Sequence, residues 1–170
     1  MQSLAVVYFP NINSSKINNF RRKYDPNWKI IPPHITLVSP LSDIPEDQLL
    51  KHVEEVIRYL KAFPINLAGL TKSFDDYLFL LVKEGNDEIM SLHDKLYSGM
   101  LVNNLPKDVT FVPHLTLGYF RKDNHFHQEL FERTLEEAGE LDISCIFDSV
   151  TIIKGDELTP AKIIRTFKLK

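Results

Sequence analysis

The chain has 170 residues, with 20 Lys plus Arg against 23 Asp plus Glu, a formal net charge of −3. With 44% apolar and 25% charged residues it has ordinary globular composition, which excludes an intrinsically disordered chain, and its length suits a single domain spanning residues 1–170. The longest apolar runs, such as residues 78–82, are far too short to cross a membrane, and the acidic balance argues against gripping long duplex nucleic acid through a broad basic field.

That balance leaves room for a local site taking one phosphate or one strand end. The single cysteine, Cys145, excludes an internal disulfide and fits a reducing compartment. The N-terminal MQSLAVVYFP lacks a basic leader region and reads as a first strand rather than a signal peptide, which makes the cytoplasm the expected location.

Residues 4–9 are β-branched and aromatic and stop at Pro10-Asn11, predicting a buried strand. Ile17, Phe20 and Tyr24 then recur at helical spacing behind Asn and Ser residues suited to a cap, and Asp25-Pro26 ends that helix. Residues 34–38 read as a strand. Pro45-Glu46-Asp47 opens a helix whose apolar stripe is Leu49, Val53, Val56, Ile57 and Leu60. Residues 64–72 and 77–83 read as a hairpin turning through Asp75-Asp76.

Ile89, Leu92, Leu96 and Met100 mark a third helix, followed by a polar connection over 101–110. Residues 114–120 read as a strand, and Phe131, Leu135 and Ala138 mark a fourth helix ending near Gly139. Strands near 143–153 and 162–169, turning at Gly155-Asp156, complete the chain. Interleaved helices with frequent hairpins favour an α+β fold with mainly antiparallel sheets over a doubly wound parallel sheet.

One internal echo stands out. Pro33-His34-Ile35-Thr36-Leu37 returns as Pro113-His114-Leu115-Thr116-Leu117, 80 residues later and near half the chain. On a strand, alternate side chains share a face. His34 and Thr36 therefore point one way and Ile35 and Leu37 the other, and the same holds for His114 and Thr116 against Leu115 and Leu117. Gly118, next on the second polar face, is expected to leave room there. A pseudo-twofold between the halves would bring the two polar faces to one cleft.

Two imidazoles can divide acid and base roles near neutral pH, one taking a proton from an attacking oxygen and the other giving one to the leaving oxygen. Displacement at phosphorus puts those oxygens on opposite sides, and threonine hydroxyls can hold the non-bridging oxygens between the rings. Read from the residues alone, a polar seam between two lobes is the competing account.

These motifs resemble those of the two-histidine (2H) phosphoesterase superfamily, marked by paired H-x-[ST]-hydrophobic signatures. The stretches from Tyr24-Asp25-Pro26 to Ile31-Pro32-Pro33, and from Leu96-Tyr97-Ser98-Gly99 to Phe111-Val112-Pro113, resemble its bacterial YjcG-like subgroup. The resemblance implies a bilobal, duplicated β-α-β, LigT-like fold with the sheets facing a central cleft. It implies metal-independent chemistry, with no cofactor, on 2′,3′-cyclic phosphates or 2′-5′ linkages of RNA ends or nucleotides. It also implies catalytic roles for His34 and His114 and phosphate-binding roles for Thr36 and Thr116. The expected partner is a small phosphodiester or RNA-end substrate. A nucleotide or RNA-end binder without turnover is the alternative use of the same cleft.

Other residues carry weaker signals. His125 and His127 form an H-x-H pair that could hold a metal, but a helical start would splay the two rings apart. His93 lies on the helical stripe of Ile89, Leu92 and Leu96 and reads as structural; His52 falls off its stripe and reads as surface. Arg21-Arg22-Lys23 could attract a phosphodiester backbone, but such a run reads better as a solvated helix end, helped by the C-terminal dipole. Phe9, Tyr8, Tyr119 and Phe120 could stack a base, although core packing suits most of them better. Cys145 reads as a small buried hydrophobe.

Overall fold

A computed structural model describes residues 2–13, 15–73, 75–120, 128–139, 141–156 and 158–170. Its strands are β1 (Ser3–Tyr8), β2 (Ile35–Leu41), β3 (Phe63–Lys72), β4 (Tyr77–Val82), β5 (His114–Tyr119), β6 (Asp142–Phe147), β7 (Ser149–Gly155) and β8 (Lys162–Lys168). Its α-helices are α1 (Ser15–Tyr24), α2 (Glu46–Ile57), α3 (Asn86–Leu96) and α4 (Gln128–Ala138).

The strands form one eight-stranded sheet in the order β6-β3-β4-β5-β2-β1-β7-β8, with every described pairing antiparallel. Counted outward from the middle, β2-β1-β7-β8 on one side answers β5-β4-β3-β6 on the other. Each half repeats a strand–helix–strand unit, β1–α1–β2 and β4–α3–β5, and ends on its motif strand at the centre. The expected α+β fold, duplicated and antiparallel, is the one observed. The helices cross over: α1 packs against β5, and α3 packs against β2 and α2.

Local chemistry explains the elements. The β1 residues Leu4, Val6 and Tyr8 are buried in the main core with Ile17, Phe20, Leu49, Val53, Ile89 and Leu92, while Ala5 and Val7 on the other face pack with Ile153. Asn13 caps α1 by accepting hydrogen bonds from the Ser15 backbone N–H and hydroxyl at 3.3 and 2.9 Å. Glu46 and Asp47 sit in the first turn of α2, where the helix dipole favours them. Gly85 precedes α3 with φ +76°, and a Cβ there would come within 2.6 Å of the Ile65 side chain and 2.7 Å of the Pro64 carbonyl.

Three boundaries differ from expectation. The segment expected as one strand over 143–153 is two, β6 and β7, broken at Asp148. They serve opposite halves of the sheet, β6 pairing with β3 and β7 with β1 and β8. Asp148 anchors the break, its carbonyl accepting from the Leu169 N–H at 2.8 Å and its carboxylate from Lys168 Nζ at 2.8 Å. The third helix stops at Leu96 rather than reaching Met100, because Gly99 adopts φ +58°; a 3₁₀ turn over Gly99–Asn104 follows. α2 ends at Ile57, leaving Leu60 beyond it.

Candidate active site

β2 and β5 meet at the centre of the sheet through the pair Ile35–Leu115. Both side chains are fully buried and belong to the core. Carrying the antiparallel register one residue to either side sets His34 opposite Thr116 and Thr36 opposite His114. The four motif side chains therefore form a crossed rectangle on the face opposite the core, each imidazole facing the other half's hydroxyl. Directly opposed residues on an antiparallel pair lie about 4.5–5.5 Å apart, close enough for one small anion to touch both sets.

The two histidines are held alike. His34 Nδ1 lies 2.9 Å from the Pro32 carbonyl oxygen, and His114 Nδ1 lies 2.6 Å from the Val112 carbonyl oxygen. A carbonyl can only accept, so each Nδ1 carries the proton and each Nε2 is left as the lone-pair nitrogen. The prolines Pro33 and Pro113 between carbonyl and ring hold the approach to the strand extended. Both imidazoles are thus oriented before any ligand arrives.

Burial dominates their electrostatics. His34 is pushed down to about 4, chiefly by desolvation, with the Arg21 charge adding to the effect and the Pro32 carbonyl opposing it. His114 is also lowered by burial, opposed by the Val112 carbonyl and the Asp75 carboxylate. At neutral pH both rings of the free protein are neutral bases.

His34, Thr36 and Thr116 line a cleft of about 720 Å³. His114 is not part of that lining; its ring is stacked on Phe79 with centroids 3.5 Å apart and planes 23° off parallel. Beyond the motif strands the cleft runs over β1 and β7, floored by Ala5, Val7 and Ile153, with Ile30, Ile31 and Leu158 along its sides. From β4, Tyr77 contributes to the lining and stacks on Tyr119 at 4.5 Å. Tyr77 and Phe79 escaped the sequence reading. Their signal was the period-two pattern of Tyr77–Val82, in which Leu78, Leu80 and Val82 are buried and Tyr77, Phe79 and Leu81 are half-buried.

Gly118 does not serve the cleft. Between β4 and β5 the register passes from Leu78–Gly118 to Phe79–Thr116, a bulge that leaves Leu117 unmatched. Alternation resets there: Gly118 joins buried Leu78 on the core side, and Tyr119 takes the cleft face with Tyr77. A Cβ on Gly118 would lie 2.9 Å from Tyr24 Cβ, so the glycine admits α1, not a ligand.

Arg21 also departs from the solvated helix end expected of it. It is 2% exposed, bonded through Nε and Nη2 to Asp25 Oδ2 at 2.7 and 2.6 Å and through Nη2 to the Ile31 carbonyl at 2.9 Å. Arg22 and Lys23 are exposed as expected. Phe120 and Tyr8 are core residues, and Phe9 lies half-buried with its ring 6.2 Å from that of His34. His93 is buried and stacked on Phe111 at 3.8 Å. His52 is half-buried rather than free on the surface, its Nε2 donating to the Leu96 carbonyl at 2.8 Å. Cys145 is half-buried, 3.9 Å from the Tyr8 hydroxyl, and burial pushes its thiol pKa up. The H-x-H pair His125 and His127 lies outside the described residues. Among the described residues no three His, Cys, Asp or Glu side chains cluster as metal ligands, and no helix is long and apolar enough to cross a membrane.

A family model of the 2′-5′ RNA ligase superfamily matches residues 9–159, which spans both motifs and nearly the whole chain. The chain belongs to the 2′-5′ RNA ligase superfamily. This is the two-histidine phosphoesterase group that the paired motifs resemble, and its Bacillus members fit the YjcG-like subgroup. A Bacillus licheniformis protein is 29% identical over 144 residues, covering 82% of this chain and 83% of its own. A Bacillus cereus protein is 34% identical over 121 residues, covering 68% of each. Both bear the name "putative phosphoesterase".

Solved structures of the superfamily fold agree over the full length. A Thermus thermophilus protein superposes with a TM-score of 0.69 at 19% identity, covering 98% of this chain and 97% of its own. Escherichia coli LigT complexed with 3′-AMP gives 0.65 at 14% identity, covering 99% and 98%. At these identities the likeness establishes the LigT-like architecture. This superfamily member keeps that architecture with its two motif strands side by side at the centre.

Proposed function

We propose that the protein is a metal-independent phosphodiesterase that opens 2′,3′-cyclic phosphates or cleaves 2′-5′ phosphodiester bonds of RNA ends or nucleotides, with His34 and His114 as its acid–base pair. The observation that carries this reading is the crossed rectangle of His34, Thr116, Thr36 and His114 about the Ile35–Leu115 pair, with both Nδ1 atoms committed to carbonyls. Each ring is left with one nitrogen, Nε2, to exchange a proton with the reacting oxygens.

In the proposed reaction on a cyclic phosphate, one neutral imidazole removes a proton from water as its oxygen bonds to phosphorus. The bond from phosphorus to one ribose oxygen breaks, and the other imidazole, protonated, gives that oxygen its proton. The product is a phosphomonoester beside a free hydroxyl. Thr36 and Thr116 donate to the non-bridging oxygens and fix the phosphorus between the rings. A ring held low by burial gains a proton more readily once an anion sits beside it, so the bound substrate itself favours the acid form that the free protein lacks.

The rest of the cleft supports a nucleotide as the body attached to that phosphate. Ala5, Val7 and Ile153 give an apolar floor, Asn27 and Asp156 offer polar groups near it, and about 720 Å³ accommodates a mononucleotide. Structures of E. coli LigT hold 3′-AMP, ATP and phosphate, which supports small nucleotides as ligands of this fold. A nucleotide or RNA-end binder without turnover is the alternative use of the same cleft.

An activity screen over 2′,3′-cyclic mononucleotides, cyclic-ended RNA and 2′-5′ oligonucleotides separates the two, with His34→Ala/His114→Ala as control. Product from the wild type and none from the control supports the enzyme. Tight binding without product supports the binder, and equal product from both proteins removes the site from the chemistry.

A further inference from the structure

The cleft lining contains one Lys or Arg among the described residues, and it is Arg21. Most of its guanidinium is accounted for. Nε and Nη2 reach the Asp25 carboxylate, and Nη2 also donates to the Ile31 carbonyl. Nη1 is buried with no hydrogen-bond partner, the one such buried side-chain atom among the described residues. A buried, unpaired donor on a charged group is costly, so such groups persist where something completes them.

Position says what that is. Arg21 lies at the end of α1 that the Gly118 bulge admits against β5, and it lines the same cleft as His34, Thr36 and Thr116. Its charge is felt at His34. Asp25 offsets that charge and takes the neighbouring N–H of Asn27 at 2.8 Å, which locks the segment leading to Pro32 and His34. With both histidines neutral in the free protein, the cleft offers an arriving phosphodiester anion no other cationic side chain among its described lining.

We propose that Arg21 is a substrate-binding residue whose Nη1 donates a hydrogen bond to a phosphoryl oxygen of the anion seated between His34 and His114. This rests on the reading of the cleft as a phosphoryl site. Among the described residues it makes the half-sites unequal, because the rectangle is symmetric in its histidines and threonines while the one guanidinium of the described lining acts on His34. Lysine does not replace this group, since one ammonium lacks the planar fork needed to hold Asp25, the Ile31 carbonyl and the ligand together.

The test is inorganic phosphate binding to the full chain. In the wild type, NMR of arginine side-chain N–H groups and of histidine rings is followed during a phosphate titration, with Arg21→Lys used to assign the Arg21 signal. The Arg21 Nη1–H signal is expected to shift with the same midpoint as the His34 and His114 rings. Arg21→Gln/Asp25→Asn, which removes both charges together so that neither is left buried alone, is expected to bind phosphate about tenfold or more weakly. Arg21→Lys is expected to fall between. Histidine signals that move while the Arg21 signal stays fixed overturn this proposal and leave the phosphoryl site standing. Phosphate that moves none of these signals overturns both. A folded double variant with wild-type phosphate affinity also overturns it.

Discussion

Ile35 and Leu115 pair across the centre of the sheet, and both are fully buried. The layout of the candidate site follows from that pair, because the residues flanking it on each strand are forced to the opposite face and face one another crosswise. A one-residue slip of either strand would turn its own His and Thr into the core and its Ile35 or Leu115 out of it. The apolar half of each motif therefore sets the register of the polar half.

His34→Ala and His114→Ala are each expected to lower kcat by about 10²–10⁴-fold on the productive substrate. The double variant should lose little more than the worse single one, since the rings act as a unit. Single-turnover kinetics checks this. Losses that multiply would show two independently acting groups, not one acid–base pair.

Thr36→Val and Thr116→Val keep the shape and remove the hydroxyl. Each should weaken phosphate binding by about fivefold to tenfold, the worth of one hydrogen bond of about 1–1.5 kcal/mol, measured by calorimetry. An unchanged affinity in both would take the hydroxyls off the anion.

Stability should depend on pH through His34. Its folded pKa of about 4 lies below the unfolded value of 6.5. Below pH 6.5 the unfolded chain takes up a proton that the folded site refuses, so stability falls as pH drops from 6.5 toward 4 and this loss levels off beneath it. His114, also lowered, acts in the same direction. Urea midpoints across this range, with His34→Gln as reference, should show the wild type losing more than the variant. The kcat/KM profile should be bell-shaped with its maximum on the acid side of 6.5, because one ring must be protonated and both are depressed. A maximum above pH 7 would place the essential proton on another group.

Gly118→Ala tests the bulge. The added Cβ would come within 2.9 Å of Tyr24 Cβ, between two backbones that cannot rotate away. A loss of about 1–3 kcal/mol is expected, read from the denaturant midpoint with unchanged m. A neutral outcome would mean that α1 is not seated on β5 as described.

Much of this was legible in the sequence because strand alternation is a strong rule. The duplicated Pro-His-x-Thr-Leu gave the polar face, and apolar stripes such as Leu49, Val53 and Ile57 gave the helices. What escaped depended on contacts between distant segments. Nothing local marks the bulge that turns Gly118 to the core, because it is visible only against β4. Arg21 shares its run with exposed Arg22 and Lys23, and only the return of the chain through Asp25 and Ile31 singles it out. The break at Asp148 is likewise set by Lys168 and Leu169 from the far end of the chain.

The central claim is that two imidazoles from the two halves serve one anion. A crystal structure of the protein with bound phosphate tests it most directly. The account predicts a single phosphate within hydrogen-bond distance of both His34 Nε2 and His114 Nε2, with the Thr36 and Thr116 hydroxyls on its remaining oxygens. Phosphate seated elsewhere, or a separate ion at each ring, would contradict it.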